Sequence, residues 1–217
     1  MRLRAVLFDL DGTLYDRDAV ILRVAHEQAD VFCSRLGEAD RDRLIARTLM
    51  LDDHGYARRV DVYRTLLADL PVDAQLARDL EAHFWDCYCR HCEVSDDTVR
   101  TLGALRASGR KLAVVTNGPV EWQSRKLRTL GLTECFDEIV ISDAVGVAKP
   151  DPRIFALALD RLGVEAGEAM FVGDHPEIDV AGARAAGLVA VWKRVPYWTM
   201  TLEDVRVIDR LGEILSV

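Results

Sequence analysis

No apolar run in the 217 residues approaches the roughly 20 residues that a bilayer-spanning helix needs. The N-terminal "MRLRAVLFD" has too little apolar length for a signal peptide and leads directly into a strand pattern. Cysteine is sparse, five in number and irregularly placed, which does not suit a disulfide framework. These thiols are expected to be reduced, and the chain cytoplasmic. Positive charge is in deficit: 28 Lys and Arg face 36 Asp and Glu, for a net charge of −8 and a pI near 5.2. That balance argues against a nucleic-acid or anionic-membrane partner. A small anionic substrate stays open, because a metal ion and a few cations reverse the field locally. Internal repeats and low-complexity linkers are absent as well.

Half of the residues are hydrophobic, enough for a sizeable core. Short apolar runs recur at 3–8, 111–116, 138–142, 169–173 and 188–193, each followed by small or polar turn residues, with a weaker run at 205–209. Helical spacing fills the intervals 119–130 and 151–162. Near-continuous apolar strands alternating with helices indicate an α/β fold, a parallel Rossmann-like sheet covered on both faces. Its expected strand order is 3-2-1-4-5. The interval between the first two strands is far longer than one crossover needs. Residues 17–36, 40–50, 56–69 and 73–91 read as helices, with Gly37, "DDHG" (52–55) and "LPVD" (70–73) between them and Asp73 as an N-cap. A further helix over 96–108 is the crossover into strand two. The expected organisation is a core of 1–15 and 95–217 with an all-helical insert, residues 16–94.

The first strand runs into two acids, "AVLFDLDGT", with Asp9 and Asp11 two places apart. In extended chain such residues point the same way, and each carboxylate raises the cost of ionising the other. A cation between them, or a proton kept on one, relieves that cost. Ligands of open parallel sheets gather at the carboxyl ends of the strands, near the topological switch point. Polar residues stand at the other strand ends too: Thr116 and Asn117 in "TNG", Lys149 in "GVAKPDP", and Asp174 and Asp179 in "GDHPEID".

This ordered set resembles the haloacid dehalogenase superfamily of phosphohydrolases, whose motifs are DxDGT, a strand-end Ser/Thr, a Lys commonly followed by Pro, and GDxxxxD. The helical insert resembles the small cap of the phosphoglycolate-phosphatase-like branch, in which the cap reads the substrate. The resemblance implies a phosphatase acting on a small phosphorylated metabolite. Asp9 is then the nucleophile that forms an aspartyl-phosphate, and Asp11 the general acid and base. Mg²⁺ suits Asp9, Asp174 and, by the resemblance, the backbone carbonyl of Asp11. Lys149 supplies positive charge to nucleophile and phosphate, with the Thr116 hydroxyl and the Asn117 N–H as phosphate donors. Asp179 is a supporting or direct metal residue. Gly12 permits the sharp turn and the Thr13 hydroxyl braces it.

Asp11 speaks against a halide-displacing dehalogenase, which lacks that residue. A sugar phosphomutase shares the motifs, and a catalytically silent binding module shares the fold. In the insert, His83, Cys87 and His91 lie four apart on one helix face, and Cys89 and Cys92 have CxxC spacing. No second CxxC or HxxxH completes a zinc set, so packing is the reading adopted. Arg58 and Arg59 read as a solvated face. Tyr15, Arg17, Arg58, Trp85 and Tyr197 are candidates for contact with the rest of the substrate.

Overall fold

The computed structural model describes residues 3–36, 41–68, 70 and 75–216. Strand β1 (Ala5–Phe8) is buried at every residue, as an apolar run with no polar alternation requires. Five helices follow: α1 (Arg17–Val31), α2 (Cys33–Leu36), α3 (Arg41–Asp52), α4 (Arg59–Leu67) and α5 (Gln75–His91). The chain then alternates through α6 (Asp96–Ala107), β2 (Lys111–Thr116), α7 (Val120–Thr129), β3 (Glu138–Ile141), α8 (Ser142–Val145) and α9 (Pro152–Leu162). It closes with β4 (Ala169–Gly173), a π-helical turn at Pro176–Ala181, α10 (Gly182–Ala185), β5 (Val189–Lys193) and β6 (Arg206–Ile208).

All strand pairs are parallel, in the order β3-β2-β1-β4-β5-β6. The expected order 3-2-1-4-5 is present, and the weak run near 205–209 extends it as an edge strand beside β5. The chain leaves β1 first toward β2 and β3, then crosses to β4, so the switch point lies between β1 and β4. Phe8 pairs with Val114 on one side and Val172 on the other. The residue after it therefore emerges between the ends of β2 and β4.

By its contacts the chain divides into two compact units. One comprises the residues through Asp16 together with those from Glu93 on, and the other comprises Arg17–Cys92. In the first, one sheet face presents Leu7, Ala113, Val115 and Phe171 to Ile154, Phe155 and Ala158 of α9. Phe155 meets Phe171 edge-on at 5.0 Å between ring centroids. Each such buried aromatic contributes about 1.5–3 kcal/mol. On the other face Phe8 packs edge-on against Phe136. The Ser95 hydroxyl accepts from the Thr98 N–H and caps α6, and Asp151 caps α9 just ahead of Pro152.

In the helical unit, α1 buries Val20, Ile21 and Val24. It also buries Gln28, whose amide is satisfied by donating to Leu80 O and accepting from Tyr63 Oη. Asp52 is buried as well. Burial raises its carboxyl, but the guanidinium groups of Arg17 and Arg59 outweigh that and hold it below the usual range. Arg59 also lies 3.9 Å over the Phe84 ring. The expected solvated face therefore holds for Arg58, whose side chain is 81% exposed, and fails for Arg59. Adjacent residues at a helix start point about 100° apart, so one can face water while the next turns inward. The helix expected over 17–36 is interrupted at Phe32, and "DDHG" forms the end of α3 and a 3₁₀ turn. Gly37 and Asp73 lie outside the described residues. No helix among the described residues is long and apolar enough to cross a membrane.

Candidate active site

Asp9 extends β1 by one residue, its N–H donating to Val172 O of β4 at 2.9 Å. The Lys149 ammonium donates to Asp9 Oδ1 at 2.5 Å and to Asp179 Oδ1 at 2.7 Å. All three side chains are buried. Asn117 makes a two-point clamp on the Lys149 peptide, donating to its carbonyl and accepting from its N–H, both at 2.9 Å. The amide side chain at the end of β2 thus fixes the lysine that reaches Asp9. The Thr116 hydroxyl is buried and accepts from Gln123 Nε2 at 2.5 Å.

The two acids of the first motif have different partners. Asp11 is gripped by Lys126 Nζ, 2.7 and 2.8 Å from its two oxygens, by Gln123 Nε2 at 3.0 Å, and by the Tyr15 hydroxyl. Both Gln123 and Lys126 come from α7, three residues apart and so on one face of the helix. Gly12, at φ +79°, makes the turn, and a Cβ there would stand 2.7 Å from Asp174 Oδ2. No other residue fits both the left-handed backbone and the approach of that carboxylate.

Asp174 follows β4. Its Oδ1 accepts from the Thr13 hydroxyl at 3.3 Å and its Oδ2 from Tyr197 Oη at 2.9 Å. The Trp192 indole N–H donates to its backbone carbonyl at 2.8 Å. Lys193 donates to Gly12 O at 2.9 Å. Asp179 sits in the π-helical turn and accepts from the His175 N–H at 3.0 Å. Gly173 has no room for a side chain, because a Cβ would collide with Asp179. His175 serves locally: its Nδ1 accepts from the N–H groups of Glu177 and Ile178, and burial lowers its imidazole.

Ligand oxygens of Asp9, Asp174 and Asp179 all lie within 4.8 Å of one another. Three buried carboxylates thus converge, with Lys149 as the ammonium bound to two of them. Burial first, and then the neighbouring acids, push Asp9 well above the usual carboxylate range against the pull of Lys149. Burial and Asp179 push Asp174 up to about 7. Burial acts against the Lys149 ammonium, yet Asp179 and Asp9 raise it above its ordinary value. Such a cluster carries more negative charge than its protein partners offset. An all-oxygen donor set of that charge fits a hard divalent cation such as Mg²⁺.

The structure brings Asp9, Asp11, Thr116, Asn117, Lys149, Asp174 and Asp179 to the carboxyl end of the sheet, through β1, β2, β4 and the loop before α9. The specificity candidates Tyr15 and Tyr197 are instead hydrogen-bonded to Asp11 and Asp174, Arg17 is bound to Asp52, and Trp85 packs edge-on against Phe84. Gln123, Lys126 and Lys193 are absent from any strand-end motif, and only their contacts reveal them. For the α7 pair the sequence held one signal, a Gln and a Lys one helical turn apart just beyond "TNG".

A family model described as haloacid dehalogenase-like hydrolase matches residues 3–187. A glyceraldehyde 3-phosphate phosphatase of Methanopyrus kandleri is 32% identical, covering 87% of this chain and 83% of its own length. A phosphoglycolate phosphatase of Rhodospirillum rubrum is 35% identical over 87% of this chain and 78% of its own. An (S)-2-haloacid dehalogenase of a Pseudomonas species is 33% identical over 87% and 83%. Among solved structures, the magnesium-bound putative hydrolase YfnB of Bacillus subtilis superposes with a TM-score of 0.78 at 24% identity. It covers 100% of this chain and 98% of that one, a likeness of fold. The site and the fold are those of a hydrolase. The chain belongs to the haloacid dehalogenase-like hydrolase family, in its phosphoglycolate-phosphatase-like branch.

Proposed function

We propose that the chain is a Mg²⁺-dependent phosphatase that hydrolyses a small phosphorylated metabolite through an aspartyl-phosphate on Asp9. The observation that carries this reading is the separate pairing of the two motif acids. Asp9 lies against Lys149 and the acidic cluster, and Asp11 stands apart against Lys126. A nucleophile and a proton carrier need that division of surroundings.

Asp9 attacks phosphorus, and the bond from phosphorus to the leaving oxygen breaks while Asp11 gives that oxygen its proton. Water then attacks the aspartyl-phosphate and gives its own proton to Asp11. Inorganic phosphate leaves, and both acids return to their starting forms. Lys149 offsets charge on Asp9 and the phosphoryl oxygens, and the Thr116 hydroxyl and Asn117 N–H donate to those oxygens. Asp9, Asp174 and the Asp11 carbonyl would hold Mg²⁺, with Asp179 beside them. When bound, the ion supplies positive charge that lets an anionic nucleophile meet an anionic phosphate. Lys126, Gln123 and Tyr15 orient the Asp11 carboxyl. The helical insert, residues 16–94, is read as the substrate-selecting cap that the family likeness implies.

A phosphate-release screen over several dozen metabolite phosphates with Mg²⁺ present tests the reading. Release from a subset of small substrates, absent in Asp9→Asn, is expected. Halide release from 2-haloacids, or isomerised sugar phosphate without net phosphate, would contradict it.

A further inference from the structure

The stripe of His83, Cys87 and His91 along α5 lacks a partner set in the sequence, and the fold supplies one. Helix α1 brings Glu27 onto that stripe. His91 Nε2 lies 2.8 Å from Glu27 Oε2, and His83 Nε2 lies 3.6 Å from Glu27 Oε1. The ligand atoms of Glu27, Cys87 and His91 are all within 4.8 Å of one another. Cys87 is fully buried, while Glu27, His83 and His91 are partly buried. One carboxylate, one sulfur and one imidazole therefore face a common point between two helices of the same unit, with His83 beside the other oxygen of Glu27.

We propose that Glu27, Cys87 and His91 form a three-donor binding site for a thiophilic divalent metal ion, Zn²⁺ foremost, with the fourth position taken by water. The donor set is of the kind that selects such an ion over Mg²⁺, because sulfur and imidazole are soft and borderline ligands. Tetrahedral zinc with bonds of about 2.0–2.3 Å spaces its donors roughly 3.3–3.8 Å apart. Closing the observed cluster onto an ion thus needs side-chain shifts of only about 1 Å. A thiolate and a carboxylate neutralise the two charges of the ion, which suits a half-buried place. Arg90 also holds Glu27 Oε1, and its side chain is 54% exposed, so it can stay on that oxygen while Oε2 turns to the ion.

Binding exchanges protons for metal. The Cys87 thiol loses its proton, the Cys87 sulfur–metal bond forms, and the proton leaves to solvent. In the metal-free protein burial, and then hydrogen bonding to Glu27, push that thiol up to about 12. The ion would pin α1 to α5, which α2, α3 and α4 separate along the chain.

The test uses the full-length protein, stripped with chelator and titrated with Co²⁺. It is run in the Asp174→Asn background, so that the acidic cluster of the active site does not compete. One equivalent of Co²⁺ is expected to give an intense thiolate-to-metal charge-transfer band with tetrahedral d–d bands, both bleached by added Zn²⁺. Cys87→Ser should lose the charge-transfer band, and Cys89→Ser/Cys92→Ser should keep it. Far-UV circular dichroism checks that each variant is folded. As a readout that needs no cysteine variant, Zn²⁺ should raise the Tm of the stripped parent, and Glu27→Gln should lose most of that rise. Absence of the charge-transfer band in the parent, or its persistence in Cys87→Ser, would overturn the proposal. So would a Zn²⁺-induced Tm rise unchanged by Glu27→Gln.

Discussion

Asp9 and Asp11 are two residues apart, yet each carboxylate has its own ammonium, Lys149 for the first and Lys126 for the second. The ammonium of Lys126 spans both Asp11 oxygens, and Gln123 and Tyr15 complete the hold. In the proposed mechanism Lys126 acts through Asp11, as a positioning residue. Lys126→Met keeps the apolar stem and removes the grip. Its kcat should fall steeply on alkyl phosphates, whose leaving oxygen needs a proton, within the factor of about 10²–10⁴ that general acid catalysis supplies. On p-nitrophenyl phosphate, which leaves without help, the loss should be several-fold smaller. Paired steady-state assays on the two substrate classes measure the difference, and equal losses would remove Lys126 from proton transfer. Lys126 was hard to read in the sequence, because a lysine on a surface helix is ordinarily solvated, and only the tertiary fold carries it onto Asp11.

At the scale of elements, what made the site legible was the strands. β1, β2 and β4 are apolar at nearly every position, so the polar residue that ends each run stands out, and Asp9, Thr116 and Asp174 could be read directly. Alternation with helices indicated the parallel sheet, and even the weak run at 205–209 became β6. β5 gave no such signal. Its end carries Trp192 and Lys193, which look like ordinary strand residues but bond the backbone around Asp174 and Gly12. The helical unit was legible as helices but not in its facing. Arg59 turned inward because a buried Asp52 awaited it, and pairing across 7 positions and two helices leaves no periodic trace. The loop ahead of α9 supplies a prediction. Asn117→Ala removes both hydrogen bonds to the Lys149 peptide, each worth about 0.5–1.5 kcal/mol. Urea unfolding should show a loss of about 1–3 kcal/mol, and kcat should fall because Lys149 is no longer fixed against Asp9. The β1 turn supplies another. Gly12→Ala meets both an unfavourable φ and the Asp174 carboxylate, so activity should drop sharply even where the protein still folds. Activity near that of the parent would mean that the turn relaxes without cost.

The whole molecule carries a net charge of −8, and its active-site end concentrates three buried carboxylates whose charge Lys149 offsets only in part. Asp174, pushed up to about 7 in the fold, is held well above its unfolded value near 3.8. Between those values the folded metal-free protein keeps a proton that the unfolded chain has lost. This group's contribution to stability therefore falls as pH rises from about 4 to about 7, and the penalty is complete above. Mg²⁺ bound as proposed would remove that penalty, so its effect on Tm should be larger at pH 8 than at pH 6. Asp174→Asn should raise the Tm of the metal-free protein at pH 8 while abolishing turnover. A Mg²⁺-induced shift in Tm that is independent of pH would detach the cation from these carboxylates.

The central claim is that the phosphoryl group passes through Asp9 and that Asp11 moves the protons. Asp11→Asn keeps the backbone carbonyl and nearly the size of the side chain, and loses proton transfer together with the charge that Lys126 pairs. With p-nitrophenyl phosphate, attack by Asp9 can proceed, while hydrolysis of the covalent intermediate lacks its base. Intact-protein mass spectrometry of Asp11→Asn, quenched in acid soon after mixing with p-nitrophenyl phosphate and Mg²⁺, should show the mass of one added phosphoryl group. Peptide mapping should place that group on Asp9, and the Asp9→Asn/Asp11→Asn protein should gain nothing. An unmodified mass in Asp11→Asn that still turns over, or a phosphoryl group on any other residue, would contradict the account.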